Sequence, residues 1–128
     1  MEWNPSLSVG DVRIDDQHKR LFQLLESLET TPAGENTAQA YAAVSELERY
    51  VQEHLRDEEA VMRSFKYKHY AAHCELHREF EAKLEILVAR LSTEDHNILL
   101  QDIRVLVQTW LVQHISSADL RYKPFLLS

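Results

Sequence analysis

The stretch His73-Cys74-Glu75-Leu76-His77-Arg78-Glu79-Phe80-Glu81-Ala82-Lys83-Leu84-Glu85-Ile86-Leu87-Val88-Ala89-Arg90-Leu91 decides how the chain is read. His73, His77, Phe80, Leu84, Leu87 and Leu91 recur at alternating steps of four and three, which puts them on one stripe of a helix running from about Tyr70 to Leu91. The stripe is apolar except at its start, where two histidines stand one turn apart. Outward from this segment the same rhythm appears three more times. Upstream, from about Thr37 to Arg63, it collects Val44, Leu47, Val51, His54, Glu58 and Val61 with Met62; before that it collects Ile14, His18, Leu21, Leu25 and Leu28. Downstream, from about Asn97 into the 110s, it gives Ile103, Val107, Trp110 or Leu111, and His114. Weak breaks near Thr31 to Asn36, Phe65 to Lys68 and Ser92 to Asn97 separate the four segments.

The composition agrees with long helices. The 128 residues include 2 glycines and 3 prolines, and none of these lies between Glu35 and Lys123. Sandwiches, barrels and doubly wound sheets need frequent turns with special backbone angles, and this chain has few residues to make them. With 45% hydrophobic and 27% charged residues the chain is neither disordered nor membranous in character, and one domain spanning 1–128 is expected. The net charge of −7 has the wrong sign for a phosphate backbone, so nucleic acid is not expected as a partner. The longest apolar run, Ala40 to Val44, is too short for a membrane span, and MEWNPSLSVG lacks the pattern of a secretory signal. One cysteine, Cys74, leaves no internal disulfide and no cysteine cage for zinc, and a cytoplasmic location is the expectation.

Short connections favour antiparallel neighbours, which predicts an all-α, up-down-up-down antiparallel four-helix bundle with a short N-terminal arm. That topology makes a geometric demand. The start of the first helix, the end of the second, the start of the third and the end of the fourth meet at one end of the bundle. His18, His54 with Glu58, His73 with His77, and His114 occupy those places. A glutamate on a core stripe costs several kcal/mol to bury without a positive partner, and no lysine or arginine stands at an inward position beside Glu58. Imidazoles and a carboxylate without thiolate suit iron, zinc, copper or nickel better than calcium or magnesium. There is no H-E-x-x-H, and no histidine has a glutamate three residues before it, which excludes a zincin and the E-x-x-H di-iron bundles. His69 and His96 fall in the breaks and read as solvated, His69 being the nearer to the site. Cys74 lies about 100° off the histidine face and reads as packing or surface.

The ordered set of motifs resembles the hemerythrin family, in particular its single-domain bacterial kind, over nearly the whole chain. Trp3, Gly10 and Ile14-Asp15-Asp16-Gln17-His18 resemble its start. His54-Leu55-Arg56-Asp57-Glu58-Glu59 with Met62 resembles its H-x-x-x-E-E element, and His73-Cys74-Glu75-Leu76-His77 with Phe80 its H-x-x-x-H. Trp110-Leu111-Val112-Gln113-His114 followed by Asp119 resembles its final H-x-x-x-x-D. The resemblance implies two iron ions bridged by Glu58, Asp119 and a single oxo or hydroxo oxygen. His73, His77 and His114 would complete one iron. His18 and His54 would hold the other, leaving a position open for dioxygen.

Reversible, non-enzymatic oxygen binding for transport, storage or delivery is the implied activity. An oxygen, redox or nitric-oxide sensing module is the alternative; it would act through a partner in trans, since no output segment follows Ser128. The protein partner is not specified. Asp119 lies on none of the stripes: five positions beyond His114 is about 140° around a regular helix, so a local widening or a helix end in Ile115-Ser116-Ser117-Ala118 is expected. Trp110 and Leu111 are expected to wall a dry pocket, with Phe22 and Phe80 nearby, and Tyr122 to reach a bridging carboxylate. The other 19 of the 21 acidic residues have no expected role at the site.

Overall fold

The computed structural model describes residues 2–30, 37–91 and 96–127. Four long helices form: α1 (Val12–Thr30), α2 (Thr37–Ser64), α3 (Tyr70–Arg90) and α4 (His96–His114). A single π turn (Ile115–Asp119) continues α4 directly into a short helix α5 (Leu120–Leu126), and there are no strands among the described residues. Each long helix packs on its neighbours in sequence, and α1 closes the ring against α4. This is the expected antiparallel bundle. The expected breaks at Thr31 to Asn36 and Ser92 to Asp95 lie outside the described residues; His96, read as part of a break, is instead the first residue of α4.

The stripes read from the sequence form the interior. Ile14, Leu21, Leu25, Leu28, Val44, Leu47, Val51, Met62, Phe80, Leu84, Leu91, Ile103 and Val107 are all buried. Each fully buried aliphatic or aromatic side chain contributes roughly 1.5–3 kcal/mol over leaving it in water. At the ambiguous position of α4 the core residue is Leu111, and Trp110 is half-buried beside it. The apolar layer fills the bundle away from the histidine end. A smaller cluster of Val9, Ile14, Met62, Tyr67 and Tyr122 closes that end.

Local chemistry sets the helix ends where they position the site. In the N-terminal arm Asn4 caps a single 3-10 turn (Pro5–Leu7), and Leu7 and Val9 are buried against the bundle. Gly10 adopts a φ of +90 with the Leu127 side chain packed against it, so glycine is the residue this turn requires. Asp11 accepts a hydrogen bond from the Ile14 amide at 3.0 Å and caps α1, while Asp15 accepts from the Val9 amide at 2.8 Å and pins the arm. The α2–α3 turn is made without glycine. The Tyr67 amide bonds the Met62 carbonyl and the Lys66 amide the Arg63 carbonyl, both at 3.1 Å, which is a Schellman closure. Lys66 takes the left-handed conformation, φ 54, that glycine normally supplies.

Candidate metal centre

All seven side chains expected at the site converge at one end of the bundle and are buried: His18 from α1, His54 and Glu58 from α2, His73 and His77 from α3, His114 from the end of α4, and Asp119 from the π turn. An α-helix bonds i to i+4, and a π turn bonds i to i+5, so one widened turn brings the fifth residue beyond His114 back over it. Asp119 Oδ1 lies 3.0 Å from His114 Nε2 as a result. The deformation falls within Ile115–Asp119, where it was expected.

The donor atoms separate into two groups that share Glu58. One is Glu58, His73, His77, His114 and Asp119; the other is His18, His54 and Glu58. Glu58 Oε1 faces His73 Nε2 at 3.0 Å and His77 Nε2 at 3.1 Å, while its Oε2 faces His18 at 3.7 Å and His54 at 4.0 Å. Asp119 divides the same way. Its Oδ1 lies 3.0 Å from both His73 and His114, and its Oδ2 lies 3.2 Å from His18. Each carboxylate thus presents one oxygen to each set of histidines.

The hydrogen bonds behind the rings determine which nitrogen is bare. His77 Nδ1 lies 2.8 Å from Glu59 Oε2 and His54 Nδ1 lies 2.8 Å from Gln17 Oε1, both acceptors, so each ring carries its proton on Nδ1 and leaves an Nε2 lone pair pointing inward. The Gln17 amide is oriented in turn by donating through Nε2 to Asp57 at 2.7 Å. The inward His77 lone pair faces the Glu58 oxygen and, at 3.1 Å, His114 Nε2, which is itself 3.0 Å from His73 Nε2. Were all three Nε2 atoms bare, their lone pairs would face one another at these distances and repel, so a proton or a metal cation must lie among them. His18 Nδ1 and Nε2 and both Asp119 oxygens are buried without a well-directed hydrogen bond, although imidazole nitrogens stand 3.0–3.2 Å from the Asp119 oxygens. Buried polar atoms are rarely left so, and a metal pair supplies what these atoms lack. The residues present therefore fit a dinuclear metal group.

Proton affinities carry the same signature. Burial and the neighbouring His18 outweigh the carboxylates at His54 and lower its pKa to about 4. At His114 burial acts downward but is overcome by the charge of Asp119 at 3.0 Å and by the nearby charge of Glu58, raising it to about 9. Burial pushes Glu58 upward, yet the surrounding imidazoles hold it well below the ordinary carboxylate range. Asp119, pushed up by burial and by Glu58, is likewise held low by His114. Without metal, a proton on the three-histidine side stands in for part of the missing positive charge.

The surrounding residues divide less evenly. Tyr122 is buried, and its hydroxyl donates to Glu58 Oε2 at 3.3 Å, as expected. Trp110 stacks on His114 at 4.1 Å and on Phe80 at 4.0 Å between ring centroids, so both aromatics back the three-histidine group. Leu111 and Ile115 are buried in the core that borders the site. Phe22 is buried too, but lines an open cavity of about 300 Å³ with Glu2, Trp3, Lys19, Gln23 and Glu26, none of them a site residue. His69 lies half-buried beside Tyr67 and borders a small pocket of about 50 Å³ that also touches His73. Cys74 is a half-buried free thiol. Two contributors were missed, Gln17 and Glu59. Glu59 corrects the expectation that every acid other than Glu58 and Asp119 is idle at the site.

A helical bundle with two carboxylates shared between two sets of buried histidines defines a metal-binding protein of the histidine-rich kind. The comparisons with known proteins specify which. Residues 9–126 match the family described as "Hemerythrin HHE cation binding domain", and the chain belongs to the hemerythrin family. The myohemerythrin of Sipunculus nudus is 32% identical over 121 residues, covering 94% of this chain and 89% of that protein. A bacteriohemerythrin of Pseudomonas aeruginosa (strain LESB58) is 29% identical, covering 94% of this chain and 77% of its own length. The crystal structure of a wild-type hemerythrin superposes with a TM-score of 0.87 at 29% identity, over 100% of this chain and 98% of the other.

Proposed function

We propose that residues 1–128 form a single domain that binds dioxygen reversibly at a di-iron centre, as a carrier, store or delivery protein and not as an enzyme. His73, His77 and His114 would hold one iron, His18 and His54 the other, and Glu58 and Asp119 would bridge the two. The observation that carries this reading is the division of each buried carboxylate, one oxygen toward each histidine set. The chemistry that iron would supply, held by these residues, is the reversible loan of two electrons to dioxygen.

The chain's own residues do the rest. Glu58 and Asp119 neutralise part of the added positive charge in a place water does not reach. Gln17 and Glu59 hold His54 and His77 with their Nε2 lone pairs inward. Tyr122 keeps its proton on the phenol oxygen, since burial and the nearby carboxylates raise its pKa, and donates it to Glu58. Leu111, Ile115 and Phe80 exclude water and the protons it would carry. Two histidines against three leaves the His18 and His54 side with fewer protein donors, so a metal held there would keep room for a further ligand.

No helix among the described residues is long and apolar enough to cross a membrane, and we place the protein in the cytoplasm as part of this proposal. The test is the visible spectrum of iron-loaded, anaerobically reduced protein. A charge-transfer band should appear with oxygen, persist, and vanish when oxygen is removed. Immediate oxidation without a reversible band contradicts the proposal.

A further inference from the structure

We infer that Glu59 is a positioning residue that gives the His77 side of the metal pair a stronger electron donor than the His54 side; this rests on the reading that the cluster holds metal. Glu59 is 5% exposed, an unusual burial for a carboxylate that sits outside the ligand set. Its Oε2 accepts from His77 Nδ1 at 2.8 Å, from Arg56 Nη1 at 3.1 Å and from Arg78. Glu81 accepts from Arg56 at 2.7 Å and from Arg78 at 3.2 Å, so the two half-exposed arginines are held between two carboxylates. This network fixes an anion directly behind one ligand ring.

The opposite ring has no such anion. His54 Nδ1 meets the neutral carbonyl of Gln17, whose amide nitrogen is tied to Asp57, itself bonded to Arg13 at 2.9 Å. A carboxylate draws the Nδ1 proton more strongly than an amide carbonyl does, and so leaves more electron density on the inward Nε2. The metal held by His77 is therefore favoured in its higher oxidation state relative to the metal held by His54. Two iron sites of unequal donor strength result from two outer acceptors of unequal charge.

The test uses Glu59→Gln, which keeps size and an acceptor oxygen but removes the charge, with Glu81→Gln as a control that disturbs the same arginines without touching His77. Co²⁺ titration of the metal-free protein should show two ions bound by the unmodified chain. Glu59→Gln should weaken one of them by about ten- to a hundredfold and leave the other, and Glu81→Gln should weaken neither. In the iron-loaded protein the reduction potential should rise in Glu59→Gln. Arg78→Gln, at an exposed position, removes a cation from Glu59, strengthens it as an acceptor and should lower the potential, which gives a second reading should Glu59→Gln fail to fold. Two Co²⁺ ions bound with unchanged affinity and potential in Glu59→Gln overturn this inference alone, and so does equal weakening in Glu59→Gln and Glu81→Gln. Absence of Co²⁺ uptake by the unmodified chain overturns the metal reading and this inference with it.

Discussion

Removing the metal should expose an unusual dependence of stability on pH. His54 in the folded chain has its pKa lowered from 6.5 to about 4. Its stabilising contribution is fully present above pH 6.5 and is lost as pH falls toward 4, because the unfolded chain binds the proton first. His114 has its pKa raised from 6.5 to about 9, so its contribution is present below pH 6.5 and is lost as pH rises through 9. At 1.36 kcal/mol per pKa unit each flank amounts to on the order of 3 kcal/mol. The depressed Glu58 and Asp119 deepen the acid flank, and the raised His73 deepens the alkaline one. Metal-free protein should therefore be most stable near pH 6.5.

Loading changes the two flanks differently. A bound cation takes the place of the proton on the three-histidine side and leaves that imidazole neutral, so the loss between pH 6.5 and 9 should vanish. The acid loss should remain, because protons compete with metal for the ligands. Urea unfolding of metal-free and loaded protein at pH 5, 6.5 and 9 measures both effects. Equal stability of the metal-free protein at pH 6.5 and 9, or the same alkaline loss in both forms, would refute the reasoning.

Three further outcomes are expected. Glu58→Ala removes one of the two carboxylates that face both histidine sets, and iron content measured after reconstitution should drop well below two per chain; full loading with native colour contradicts the assignment. Leu111→Ala opens a cavity in the buried core beside the site, so it should cost about 2–5 kcal/mol in unfolding experiments and speed autoxidation by admitting water; an unchanged oxidation rate removes Leu111 from the pocket. Lys66→Gly relieves a left-handed lysine at the end of α2 and should stabilise by about 1 kcal/mol, and a destabilised variant would show that the Lys66 side chain contributes more than its backbone strain costs.

The bundle was legible because each helix carries one clean apolar stripe, and the site was legible because histidines and Glu58 interrupt those stripes at the ends that antiparallel packing brings together. Asp119 was legible only through the motif. Periodicity assumes a constant turn, and the π turn at Ile115–Asp119 changes that constant between His114 and Asp119. Gln17 and Glu59 escaped for another reason. Each sits one residue beside a ligand, about 100° off its face, and reaches a ring on a neighbouring helix, so the contact depends on how two helices pack and not on either pattern. The arginines at Arg56 and Arg78, close in sequence to ligands yet outside the stripes, were the available signal for a buried anion between them. Phe22 belongs to the same buried cluster as Leu111 and Ile115 and also lines the open cavity beside the N-terminal arm, so its stripe position gave its burial and not a specific role at the metal end.

The central claim is that seven buried side chains hold a pair of irons that together take up one dioxygen, at the His18 and His54 side. The most direct measurement is oxygen uptake by reduced, iron-loaded protein, with iron determined on the same sample. The account predicts one dioxygen bound for every two irons, recovered when the solution is purged. Uptake that is absent, or that consumes oxygen without returning it, would contradict it.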